Sequence, residues 1–331
     1  MSRKSKEKKN LKSSLLILLL IAILLIASTY AWFTANRTVT ISSLEVNVQA
    51  QNGLQISADA ENWKAILTKE DILGVADTYA ANTNKIPDSM EPVSTDGTVA
   101  NGNMNMFYGK VAPVEGTGVY SLTATQETDS TTKKYIVFDI FLKADEAMDL
   151  TLTGDSNVSA TGEDKGLQNA SRVAFINEGT VATTAGAAAA QALDDGTSFS
   201  VGDRKTVIWE PNAGSHTAEA VANNPYTGVD INEGDSEAAV PYYGVKAAIA
   251  DPIDIKGINS GTDAEHFTLI SGAGLTTTNK GASETASFFH IDEGITKVRV
   301  YMWVEGQDVD CDNSASGTDI SFNVQFNAPQ A

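Results

Sequence analysis

The sequence predicts an all-β fold, an antiparallel sandwich of jelly-roll or Greek-key type, and three observations carry that prediction. Short stretches alternate apolar with polar side chains, most plainly TKVRVYMWV at 296–304 and DISFNVQF at 319–326. Clusters of Gly, Asn, Asp and Ser separate these stretches at short intervals, and helix-spaced segments are few and brief. The stretch KYIVFDIFLK at 134–143 is apolar at nearly every position, as expected of a central strand covered on both faces.

The chain begins with Arg3, Lys4, Lys6, Lys8, Lys9 and Lys12 against the single acid Glu7, followed by an uninterrupted apolar run from Leu15 to Ala27. That order of charge and grease is the pattern of an export signal. The run is short of the roughly 20 apolar residues a spanning helix needs. Thr29 and Ala31 then stand at the −3 and −1 positions of a cleavage site before Trp32. Cleavage there divides the chain into a signal peptide (1–31), an opening strand segment (32–51) and a β-sandwich body (52–331). Retention of the helix, extended through Phe33, is the alternative, and it makes the segment a membrane anchor.

Within the opening segment, Val39, Ile41, Leu44, Val46 and Val48 alternate with polar residues, with one slip at Ser42–Ser43 that reads as a β-bulge. Gly53 ends this strand, and 54–58 begins another. From Trp63 to Ala80 the spacing of Trp63, Ile66, Leu67, Ile72, Leu73 and Ala76 predicts one or two short helices, with Thr68 and Asp71 placed as a capping box. Residues 82–118 read as loop around one short strand at 104–111, and 119–125 and 148–153 as further strands. In the middle, 171–176 and 205–210 read as strands, separated by an alanine-rich insertion; 211–238 reads as polar and irregular. Strands at 242–249 and 296–304, an apolar cluster at 267–270, a turn at Asp292–Gly294 and the strand 319–326 complete the pattern.

Six of the 23 basic residues and one of the 42 acidic residues fall in 1–31, so the remainder carries 17 against 41, a formal charge of −24. Such a surface repels nucleic acid and anionic lipid, which excludes a nucleic-acid role and leaves the N-terminal helix as the only membrane contact. Cys311 is the lone cysteine, so no internal disulfide forms and stability is left to packing and hydrogen bonding, with a metal or neighbouring subunits as further sources.

Catalytic chemistry finds little material. His216, His266 and His290 are scattered and form no two-histidine helix motif, and Cys311 has no neighbouring histidine in sequence. The expectation is therefore a protein that is not an enzyme and needs no cofactor. One metal candidate stands out in EGQDVDCDNSASGTD: Asp308, Asp310 and Asp312 alternate, and Asp319 follows at the offset of the last ligand of a calcium loop. Asn313 replaces the glycine such loops use, and strands instead of helices flank it, so an acidic hairpin loop is the competing reading. Trp63, Trp209 and Trp303 fall in periodic segments and are expected in the core.

The stretch STYAWFTANRTVTISSLEV resembles exported proteins processed by the dedicated signal peptidase SipW, typified by the TasA biofilm fibre protein and camelysin. It shares a small-residue site closing a short apolar core, an aromatic pair, and a strand a few residues on. RVAFI, VIWEPN and VYMWVEGQDVDC are similar to a clostridial branch of such surface proteins. The resemblance implies a jelly-roll-like sandwich, cleavage by a SipW-type peptidase, location on or outside a Gram-positive cell, and self-association into matrix fibres. It also implies a mechanism in which Val39, Ile41, Leu44, Val46 and Val48 fill a groove in the next subunit; the competing reading is that residues 39–48 pair within their own sandwich and leave a monomer. Each such burial contributes on the order of 1.5–3 kcal/mol before ordering costs. Camelysin-type relatives are labelled metalloproteases, but the zinc motif is missing from this chain.

Overall fold

The computed structural model describes residues 39–49, 53–114, 119–129, 131, 134–161, 165–222, 231–234, 239–254, 264–271, 275–276, 287, 289–311, 317 and 319–328. The expected signal helix and its cleavage residues Thr29, Ala31 and Trp32 lie outside them. The described chain is built of strands, most of them paired antiparallel, with three short helices, Lys69–Leu73, Ala187–Gln191 and Ala218–Ala222.

The opening strand Val39–Gln49 lies in the interior of a sheet of seven strands. On one side runs the closing strand Asp319–Asn327, parallel to it, with Leu44 beside Phe322 and Val48 beside Phe326. On the other side Ile66–Thr68 and Ser89–Met90 pair antiparallel. Beyond the closing strand come Asn157–Thr161 and Met148–Leu152, and Phe289–Ile291 pairs with the latter. The register with the closing strand shifts between Ile41 and Ser43, the bulge that the slip in alternation predicts.

A second sheet runs in the order Leu275–Thr276, Thr206–Trp209, Ser171–Val181, Gly294–Val304, Ile136–Ala144, Gln55–Ser57, Trp63–Lys64. Its inward side chains, among them Phe138, Ile140, Phe175, Val298, Val300 and Met302, join those of the first sheet in one large core cluster. The alternate residues Tyr301 and Trp303 point the other way, into a second cluster with Val93, Met106, Tyr242 and Ile270. A three-stranded sheet of Phe107–Val114, Val119–Gln126 and Ile249–Asp254 carries a third, smaller cluster. Every residue of Gly294–Val304 is buried as a result, and so is nearly every residue of Ile136–Ala144. Gly294 enters its strand at φ 134°, and a Cβ there would stand 2.3 Å from the Val181 carbonyl oxygen, so only glycine fits.

Helical spacing misleads at Trp63–Thr68. These residues form two short strands, because Leu67 pairs with Val46 of the opening strand and Trp63 with Ser57, and pairing overrides a weak local preference. The helix is confined to Lys69–Leu73, where the expected capping box is present: Thr68 Oγ1 accepts from the Asp71 amide, and Asp71 accepts from the Thr68 amide. The strand Asn157–Thr161 and the helix Ala218–Ala222 went unread, being short and polar or alanine-rich.

Candidate functional site

Two features carry the functional expectations: the opening strand, and the acidic loop after Val304. The opening strand's five apolar residues, Val39, Ile41, Leu44, Val46 and Val48, are each 7 % exposed or less and belong to the chain's own main core. They face inward because the bulge at Ser42 keeps the alternation in phase on both sides of it. Thr40, Ser42, Ser43 and Glu45 face outward and are exposed. In the structure the strand therefore fills a groove between the closing strand and Ile66–Thr68 of the same molecule.

The acidic loop folds back onto the end of the second sheet. Arg172, buried, directs Nη2 to Asp308 Oδ2 at 2.5 Å, and its Nε lies 2.5 Å from Glu210 Oε1. The second approach is close but off-axis, an ion contact rather than an aligned hydrogen bond. Burial disfavours the Arg172 cation, yet the Glu210, Asp308 and Glu305 carboxylates outweigh it and raise its pKa further. Asp310 lies with Oδ2 2.9 Å from His216 Nδ1, while its Oδ1 accepts from the Thr217 amide at 2.8 Å. Burial and the neighbouring Asp308 push Asp310 above the usual carboxylate range, against the pull of His216. Glu305 closes the cluster, accepting from Trp303 Nε1 at 3.0 Å. Burial pushes it up to about 7.

Three of the four residues of the expected calcium loop are described. Asp308 and Asp310 are engaged by Arg172 and His216, Asp319 sits on the closing strand beside Thr40, and Asp312 lies outside the described residues. Among the described residues no three His, Cys, Asp or Glu side chains converge as a metal site. Cys311 is buried in the main core. His290 places Nδ1 2.7 Å from Asp149 Oδ1 and Nε2 3.6 Å from Asp292 Oδ1, with Arg204 on the other Asp149 oxygen.

A second buried ionic centre escaped the sequence reading. Asp139, in the middle of KYIVFDIFLK, receives Arg299 Nε on Oδ1 at 2.8 Å and the Tyr79 hydroxyl on Oδ2 at 2.8 Å, with Lys297 Nζ 3.4 Å away. Burial pushes Asp139 up, but Arg299, Lys297 and Tyr79 outweigh it and hold the carboxyl below its ordinary value. Glu178, also fully buried, accepts from the Gly196 amide and lies 3.7 Å from Arg299. Burial pushes it up to about 7. A lone aspartate in an apolar strand was the available signal, since such a charge survives burial only when paired.

No family model, no curated protein and no solved structure matches the chain. Among the described residues no helix is long and apolar enough to cross a membrane.

Proposed function

We propose that the chain is an exported structural protein of a Gram-positive cell surface or biofilm matrix, a jelly-roll or Greek-key sandwich that assembles into fibres by donating its opening strand. In this reading a SipW-type peptidase cuts after Ala31, and the freed segment beginning at Trp32 carries Val39–Gln49 into the corresponding groove of the next copy. In this reading the protein performs no catalysis, an expectation that rests on the scattered histidines of the sequence.

The observation that carries the proposal is the place of the opening strand. It lies inside the first sheet, between the closing strand and Ile66–Thr68, and supplies five core side chains. A neighbouring copy's strand entering the same groove would make the same hydrogen bonds and bury the same residues. Exchange therefore costs no contact, and concentration and the intervening linker decide between closed monomer and open fibre. Where each copy gives its strand to one neighbour and receives from another, the contact is head-to-tail and propagates as a filament when its rotation does not close a ring.

Electron microscopy and sedimentation of the chain beginning at Trp32 test this, across salt, pH and calcium. Fibres are expected, and a chain beginning at Gly53 should instead capture a synthetic 32–52 peptide in one-to-one ratio. Monomers under every condition, together with failure to capture the peptide, would refute strand donation.

A further inference from the structure

The outward face of the first sheet differs from the rest of this acidic surface. Pairing aligns Ser43, Ser321 and Ser159 in one row across three strands. The next row sets Thr68, Glu45, Asn323 and Asn157 side by side, and the one after it Ile66, Asn47 and Gln325. These positions are exposed or half-buried, and Ile66, at 52 % exposure, is one of the few large apolar side chains left in the open. Glu45 and Asp319 are the only charges on these rows and the neighbouring Thr40–Asp319–Thr161 row, and no lysine or arginine stands there, on a chain of formal charge −19.

We propose that this hydroxyl-and-amide face is a lateral contact surface for a second copy of the same chain, packed sheet against sheet. Copies of a strongly acidic protein repel each other, and they approach most easily where their facing surfaces hold least charge. Serine, threonine, asparagine and glutamine both donate and accept hydrogen bonds, so the face is complementary to itself, as a two-fold contact requires. Ile66 supplies an apolar anchor within it. A neutral polysaccharide fits less well, because no aromatic ring stands on these rows to stack on a sugar.

The face is large enough for a weak contact. The opening and closing strands run 11 and 9 residues, flanked by the 5 of Asn157–Thr161 and the 3 of Ile66–Thr68, and at about 3.3 Å per residue and about 4.8 Å between strands they span about 440 Å². Two copies would bury about 890 Å², below the size of stable interfaces and in the range of weak, transient ones. A single pair then separates readily, whereas two fibres in register repeat the contact along their length and hold together by avidity. The pairwise contact stands on the sheet alone; only its role in bundling rests on the fibre reading above.

The test compares the chain beginning at Trp32 with Ser321→Glu and Ile66→Glu, which place new charge on the face without touching the core. Sedimentation equilibrium should show reversible self-association of the parent, weakened at least tenfold in both variants at unchanged thermal midpoint. A Ser321→Cys chain should form a dimer across position 321 on mild oxidation, Cys311 being buried. In electron micrographs both Glu variants should keep single fibres and lose side-by-side bundles. Association or bundling that is equal in parent and both variants, or a parent that never self-associates laterally, would overturn the lateral surface. Loss of fibres altogether in the parent would count against strand donation instead, leaving the sedimentation and cross-linking results to decide this proposal.

Discussion

Asp139 and Arg299 face each other directly across two central strands, Nε to Oδ1 at 2.8 Å and Nη2 to Oδ2 at 3.3 Å, with both side chains shut away from solvent. Lys297, on the same side of the same strand, leans on the same carboxylate at 3.4 Å. Removing the acid takes the shared carboxylate from two buried cations, leaving Arg299 to Asp194 and Glu178 and Lys297 to the Gln191 and Leu193 carbonyls. Asp139→Ala should therefore cost about 3–5 kcal/mol, the range for breaking a buried ion pair from one side. Urea unfolding measures it, and Asp149→Ala, at the half-exposed pair with Arg204, should by contrast cost less than about 1 kcal/mol.

The opening strand should be a strong contributor to stability wherever it is seated. Leu44 is 2 % exposed against Phe322, and Leu44→Ala should cost about 2–5 kcal/mol. Thr40→Ala, on the exposed side of the same strand, should shift the unfolding midpoint within error. Equal effects at the two positions would mean that the strand is not packed as described.

Stability should fall as pH rises through neutrality. Burial raises Glu305 and Glu178 to about 7 from 4.5. A carboxyl whose pKa is higher in the folded chain gives stability that is complete below the unfolded value and is lost as pH climbs through the folded one. The urea midpoint should thus decline between about pH 5 and pH 8, and Glu305→Gln should flatten that decline. At the acid end Asp139 and Asp149 act in the opposite sense, both being held below 3.8, so their contribution disappears as pH drops through their folded values. A midpoint that rises steadily from pH 5 to 8 would contradict this assignment.

Asp308→Ala should destabilise by about 1–3 kcal/mol, because Arg172 Nη2 and the Asp310 amide lose their acceptor while Glu210 still balances the buried cation. Because Arg172 already holds this carboxylate, the loss should be the same in millimolar calcium and in chelator. A parent protein whose unfolding midpoint rises with calcium, and an Asp308→Ala variant whose midpoint does not, would make the loop a cation site.

What could be read from the residues was set by periodicity. Val298, Val300, Met302 and Val304 face the main core as their spacing predicts, and Ser42–Ser43 is the bulge its broken alternation announces. What escaped was the second layer. Lys297 and Arg299 occupy the positions of a solvent face by alternation alone, and they are buried because segments distant in sequence cover that face. Likewise the residues PNAGSH at 211–216 look like loop but are all buried, folded against the acidic turn through the contact of His216 with Asp310. Spacing encodes which side of a strand is apolar; it does not encode what will be laid over the other side. The surroundings of Asp308 and Asp310 were hidden for the same reason, since their offsets say nothing of Arg172 arriving from another strand.

The parallel seam between the opening and closing strands sets an order of events during synthesis. Asn47 and Asn323, which share a hydrogen bond across that seam, are 276 positions apart. A ribosome adding about 5–20 residues per second needs roughly 14–55 s to cover that distance. Hairpins close in about 1–10 μs, so every local pairing has ample time to form first. For all of that interval the opening strand has its short partners Ile66–Thr68 and Ser89–Met90 on one edge and lacks Asp319–Asn327 on the other, so a closing strand already finished in another copy has precedence over the one still to be translated.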